Sequence, residues 1–221
     1  MVALVLLQGG AASQPASPAA SARSSLPAGA ATSKIAYISE PPAGGYCGTV
    51  YVMNPDGSGQ HRLTNGGVPG CAQEGGPAWS PDGRRIAFES NWQVWVVNAD
   101  GSGQRQLTRK GAHNFNPAWS PDGTRIAFER ARRRRSPCSW CPGLWGYDVY
   151  VMNADGSRQQ RLTRGASQPH WSPDGRKIAF VSQRDGDPDI YVMNPDGSGQ
   201  RNLTRTAGDR ESQPVWSPAQ R

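Results

Sequence analysis

No run in these 221 residues is apolar enough for long enough to span a bilayer, so none of them is expected to form a membrane-spanning helix. Histidine is scarce, at three, and neither H-E-x-x-H nor G-x-S-x-G occurs, which removes the common zinc-protease and serine-hydrolase signatures. Only one C-x-x-C, Cys138 to Cys141, is present among four cysteines, one pair short of a tetrathiolate zinc site. The N-terminal stretch lacks a basic start, and its apolar run, Val2 to Leu7, is only six residues. Acidic residues are outnumbered, 17 against 24 basic, leaving a net charge of +7. Much of that excess is one Arg or Lys beside each recurring turn, a solvated position. Nucleic acid is therefore not the expected partner.

What the chain has in quantity is repetition. The unit reads P-x-W-S-P-D-G-x-x-I-A-F, a variable stretch, Y-V-M-N-x-D-G-S, then a basic link into L-T. Its tryptophans are Trp79, Trp119, Trp171 and Trp216, at intervals of 40, 52 and 45 residues. The turn segments begin at Asn54, Asn98, Asn153 and Asn194. A period of roughly 40–45 residues built from short strands and turns is that of propeller blades. Gly and Pro, 27 and 19, sit mostly at fixed repeat positions, so they mark recurrent turns and not disorder.

Each unit divides into four strands. The first carries Pro-x-Trp-Ser and ends at a Pro-Asp-Gly turn. The second is Ile86-Ala87-Phe88 and its copies at Ile35, Ile126 and Ile178. The third is Ile190-Tyr191-Val192-Met193 and its copies at Val50, Val94 and Val149. The fourth ends at Leu63, Leu107, Leu162 and Leu203. Side chains on a strand alternate faces, and the third strand is apolar on both, so both faces are buried between neighbouring sheets. The chain enters the repeat at its second strand (Lys34 to Ser39) and leaves after a first strand (Pro214 to Ser217). Pairing the two fragments closes a ring. The expected fold is all-β, a β-propeller of four blades of four antiparallel strands; the alternatives, if one chain does not close alone, are a homodimer forming an eight-bladed ring and a part of a larger ring. The division is 1–34 leader and linker, 35–218 propeller, and 219–221 tail.

Residues 1–34 are Ala/Ser/Pro/Gly-rich with almost no charge, and Ala20-Ser21-Ala22 fits a small-residue cleavage site. Export, to the periplasm or beyond the cell, is the expectation. In an exported chain the cysteines pair most simply as Cys47–Cys71 and Cys138–Cys141.

The unit W-S-P-D-G-x-x-I-A-F…Y-V-M-N-x-D-G-S…L-T resembles the WD40-like PD40 repeat of the TolB family across residues 35–218. The resemblance implies an exported envelope scaffold that binds other proteins. Similar propellers precede the hydrolase domain of prolyl-oligopeptidase-type peptidases, and some are sugar lyases.

Function is sought in what is not repeated. In an antiparallel four-stranded blade, the loops after the second and fourth strands share one face, and the Pro-Asp-Gly and Asn-x-Asp-Gly-Ser turns share the other. Nearly every irregularity falls on the first: Pro41 to Gly48, Asn91-Trp92, Arg130 to Asp148, Arg184 to Asp189, and the linkers carrying Cys71, His113 and Asp209. Variable loops on a rigid frame are where binding sits. The candidate binding residues are Trp92, His113, Asn114, Arg132, Arg133, Arg134, Arg135, Trp140 and Trp145. Their arginines and tryptophans suit acidic or aromatic contacts, while a plain solvated loop is the competing account. The leading reading is a non-enzymatic scaffold for a protein or peptide partner in the envelope, with no cofactor and no bound metal. Two alternatives stay open: a lyase or hydrolase using His113 and His170 near the channel, and polyanion binding through Arg132 to Arg135.

Overall fold

The computed structural model describes residues 33–39, 48–64, 74–109, 111–132, 146–206 and 208–218. All four cysteines, Arg133 to Arg135, Trp140 and Trp145 lie outside them, as do residues 1–32 of the leader and linker. The described residues contain fifteen strands and no helix long and apolar enough to cross a membrane.

The strands form four sheets, each a meander in chain order. The first holds β1 (Ile35–Ser39), β2 (Thr49–Met53) and β3 (His61–Arg62). The second holds β4 (Glu74–Trp79), β5 (Arg85–Ser90), β6 (Gln93–Asn98) and β7 (Arg105–Gln106). The third holds β8 (Asn114–Trp119), β9 (Arg125–Arg132), β10 (Gly146–Asn153) and β11 (Gln160–Arg164). The fourth holds β12 (Ala166–Trp171), β13 (Ile178–Ser182), β14 (Asp189–Met193) and β15 (Arg201–Asn202). Every pairing is antiparallel. These are the blades of a four-blade β-propeller, as the repeat requires.

Local chemistry explains the turns. In Ser80-Pro81-Asp82-Gly83 the Ser80 hydroxyl donates to the Asp82 carboxylate (2.5 Å), which also accepts the Arg84 N–H at 3.1 Å. Those bonds hold the Asp82 carboxyl below its ordinary range, the Ser80 hydroxyl foremost. The same arrangement recurs at Ser120–Asp122 and Ser172–Asp174. In the Asn-x-Asp-Gly-Ser turns the glycine has two duties. At Gly197 φ is +89°, and a Cβ would lie 2.7 Å from the Leu162 carbonyl of the preceding blade.

The core lies between blades. Val50, Val52 and Leu63 of the first blade meet Ile86, Phe88 and Val97 of the second. Val94, Val96 and Leu107 then meet Trp119, Ile126, Phe128 and Met152. Val149, Val151 and Leu162 meet Trp171, Ile178, Phe180 and Met193. Each blade thus offers Val and Leu to the next and Ile, Phe and, in the third and fourth, Trp to the one before. Each buried side chain of this size contributes about 1.5–3 kcal/mol. Polar bonds reinforce the stacking: the Trp119 indole donates to the Ala78 carbonyl of the preceding blade (3.1 Å), and the Arg85 guanidinium lies 4.7 Å above the Trp119 ring.

The pairing expected to close the ring is not seen among the described residues. β1 pairs only with β2 among the described residues, and Pro214 to Ser217 forms no strand. The Trp216 indole donates to the His170 carbonyl (3.1 Å), holding this segment on the inner strand of the fourth blade. One bond satisfies the tryptophan without bringing its backbone to β1, so among the described residues the first sheet holds three strands.

Candidate functional site

A channel of about 460 Å³ runs between the inner strands, lined by Gly76–Trp79, Asn116–Trp119, Gln168–Trp171 and Gln213–Val215. In each copy the residue before proline has left-handed backbone: Gly76 φ +55°, Asn116 +47°, Gln168 +54° and Gln213 +53°. The strain coincides with bulges between Gly75 and Ala78, Phe115 and Ala118, and Ser167 and His170. A bulge re-aims the side chains beside it. Here it brings polar groups together: the Asn116 amide donates to Glu129 Oε1 (2.7 Å), the Gln168 backbone N–H to the same oxygen (2.8 Å), and the Gln213 N–H to Gln168 Oε1 (2.5 Å).

Two carboxyls stand at the same repeat position on neighbouring blades, Glu89 on β5 and Glu129 on β9. Burial pushes the Glu89 carboxyl up to about 7, and the Glu129 charge adds to the effect. Burial also raises Glu129, opposed by the bonds from Asn116 and Gln168. The Tyr147 phenol is raised by burial first and by both carboxylates second. These groups share one electrostatic neighbourhood, in which a neutral Glu89 relieves repulsion.

Aromatic rings adjoin them. Trp92 stacks on His113 with centroids 4.9 Å apart and meets Phe115 edge-on at 5.8 Å. Phe115 in turn meets Tyr147 edge-on at 5.9 Å. Phe115 immediately precedes the channel-lining Asn116, so the cluster sits beside the channel on the loop-rich face. Trp92 keeps 43% of its surface exposed. It occupies the second position of the two-residue β5–β6 turn, with Asn91 at φ +50° and Trp92 at +61°. That turn type favours Asn-Gly.

The structure therefore brings Trp92 and His113 into contact, and it gives Asn114 and Arg132 other duties. Asn114 is fully buried; its amide donates to Gln93 Oε1 and the Ala112 carbonyl, both at 3.0 Å, and its carbonyl accepts from Arg130 Nε at 2.8 Å. Arg132 pairs at 2.8 Å with the buried carboxylate of Asp148. Both hold the frame together. Glu89, Glu129, Phe115 and Tyr147 were not among the expected site residues. The signal for the two glutamates was on view in I-A-F-E, where an acid follows Phe88 and Phe128 while the other copies carry Ile38 and Val181. His170, the second histidine of the enzyme reading, lies on β12 with its side chain exposed.

The structure is similar to solved propellers. TolB from Acinetobacter baumannii superposes with a TM-score of 0.63 at 21% identity, over 82% of this chain and 44% of that one. An oligogalacturonate lyase from Vibrio parahaemolyticus gives 0.57 at 14% identity, over 72% of this chain and 47% of that one. A puromycin-hydrolyzing peptidase of Mycobacterium tuberculosis gives 0.55 at 18% identity, over 72% and 27%. The chain spans less than half the length of each, and at these identities the likeness is one of fold. No curated protein matches the chain. The TolB beta propeller domain family, PD40, matches residues 43–138 and 146–221, which is most of the sequence, and the chain belongs to that family.

Proposed function

We propose that this protein is an exported, non-enzymatic binding scaffold of the cell envelope. It holds a protein or peptide partner on its loop-rich face, at the aromatic cluster beside the channel. The observation that carries the reading is Trp92. A tryptophan stands half-exposed where a hairpin turn favours glycine, in left-handed backbone that costs of order 1–3 kcal/mol. Its ring rests on His113 and Phe115 and leaves a face open. The N–H of Asn114 donates to the Trp92 carbonyl (2.9 Å), so the turn is tied to the next blade and the ring is held in place. Aromatic side chains fixed in this way, with an apolar body and rims of polar groups, are the usual anchors of protein interfaces. The neighbouring carboxyls and the Tyr147 hydroxyl supply polar partners around it.

Trp92→Gly separates binding from folding. Glycine relieves the backbone strain, so the melting temperature stays equal or rises, while capture of partner proteins from an envelope extract is lost. A variant that captures the same partners as the native protein would remove the cluster from the proposal.

A further inference from the structure

We infer that residues Gln213–Ser217 of one copy of this chain form the inner strand of a second copy's first blade, pairing with β1, so that two copies complete each other. Among the described residues the first sheet has three strands where the others have four, and the position left without a strand is the innermost. Its counterparts define that strand closely. Each has a left-handed residue before proline, then a residue placed opposite the alanine of the second strand, then tryptophan opposite isoleucine: Ala78 with Ala87 and Trp79 with Ile86, Ala118 with Ala127 and Trp119 with Ile126. Gln213-Pro214-Val215-Trp216 has every feature of it. Gln213 has φ +53°, and the Trp216 indole donates to the blade before it as the Trp119 indole does. Yet this segment is in no sheet, and Val215 is 78% exposed.

The receiving edge matches. In the register of the repeat, Val215 would stand opposite Ala36 and Trp216 opposite Ile35. The carbonyl of Val215 would then face the Trp79 indole N–H, which is buried without an acceptor. The Trp171 indole is in the same condition inside a complete interface, so Trp79 adds to the case and the open sheet carries it. The flanking side chains agree. Ile35 is 40% exposed and Leu203 46%, whereas Ile86, Ile126 and Ile178 are fully buried and Leu63, Leu107 and Leu162 are 6–8% exposed. Among the described residues, each copy therefore holds one strand position without an occupant and one segment of the fitting sequence outside every sheet. The chain's own segment is bonded to His170 and is not paired with β1, which makes a second copy the occupant. Reciprocal exchange joins eight blades and gives the first sheet of each copy its inner strand, covering a β1 edge that otherwise invites aggregation. The inference stands apart from the Trp92 reading, and Trp92→Gly should leave it untouched.

Sedimentation equilibrium and native mass spectrometry of the full chain across the micromolar range test it, with two-chain mass expected. A single-chain mass at every concentration overturns it, including the case in which deleting residues 212–221 destabilises that monomer, since the segment would then serve its own β1. Excess synthetic peptide spanning residues 208–218 should convert the dimer to one chain bearing one peptide; a dimer indifferent to the peptide is equally fatal. Finally, a chain lacking residues 212–221 and an Ile35→Lys chain should each be monomeric alone and form a one-to-one complex when mixed. Failure of two folded variants to combine overturns the exchange, and the peptide arm stands if either variant does not fold.

Discussion

The interface between the second and third blades and the two open flanks are built from one repeat, and they differ in what that repeat accomplishes. Leu107 is buried against the third blade, while Leu203, at the same position in the fourth, is exposed. Ile126 is buried against the second blade, while Ile35 at the start of the first is not. The cations before the repeat's isoleucines differ too, at Lys34 by residue type, since the second blade stands beside it. Arg85 and Arg125 each lie 4.7 Å above the tryptophan of the next blade. Lys34 and Lys177, on the first and fourth blades, donate instead to Asn54 and Asn194 in their own sheets, at 2.5 and 2.7 Å. The repeat decides which side chain faces a neighbour. Whether that side chain stabilises anything depends on the neighbour's presence.

The largest test of this contrast is a pair of identical truncations. Leu107→Ala should cost about 2–4 kcal/mol in urea unfolding, because the cavity it leaves is enclosed by two blades. Leu203→Ala should cost about 1 kcal/mol in the monomer, since little area returns to water. Equal losses in the monomer would show that the flank is packed and break the comparison. A cost at Leu203 that grows with protein concentration would sharpen it, because the flank would be gaining its neighbour from a second chain.

The next effect separates the channel from the flanks by pH. Glu89 in the folded protein holds its proton up to about 7, against an ordinary 4.5. The folded state therefore binds more protons than the unfolded one in that window. Its contribution to stability is complete below pH 4.5 and lost as pH rises through about 7, with Glu129 acting in the same direction. Denaturation midpoints of the native chain should fall across this range, and Glu89→Gln should flatten the decline. A profile unchanged by Glu89→Gln would show the carboxyl to be fully hydrated.

The smallest effect concerns the cations. Arg85→Met should cost about 0.5–2 kcal/mol through loss of its place over Trp119. Lys34→Met, removing an exposed bond within one sheet, should cost well under 1 kcal/mol. Similar values for both would show that stacking over tryptophan adds nothing to these interfaces.

Much of this was legible in the residues. The Ser-Pro-Asp-Gly turns are closed by side chains within five residues of one another, so their geometry is encoded where it occurs. The double-sided burial of Val149, Val151 and Met152 follows from strand alternation. Trp92 and His113 could be assigned to one face by counting strands, but not to one contact, because 21 residues and a change of blade separate them. Asn114 and Arg132 read as available groups. Their partners, Gln93 and Asp148, lie near the starts of third strands and are buried there; the Gln93 contact crosses from blade to blade, while the Asp148 contact lies within the third sheet.

By itself, the sequence determined the strands, the turns and the face each apolar residue presents, since these follow from local backbone preference and the two-residue period of a strand. The tertiary structure alone decided three matters: that Trp216 binds His170 while β1 pairs only with β2 among the described residues, that Asn114 and Arg132 bond to Gln93 and Asp148, and that Glu89, Glu129 and Tyr147 share one field. All but the Arg132–Asp148 pair, which lies within the third sheet, depend on the rotation from blade to blade. That angle is set by the packing of several whole interfaces, and no single stretch of the repeat contains it.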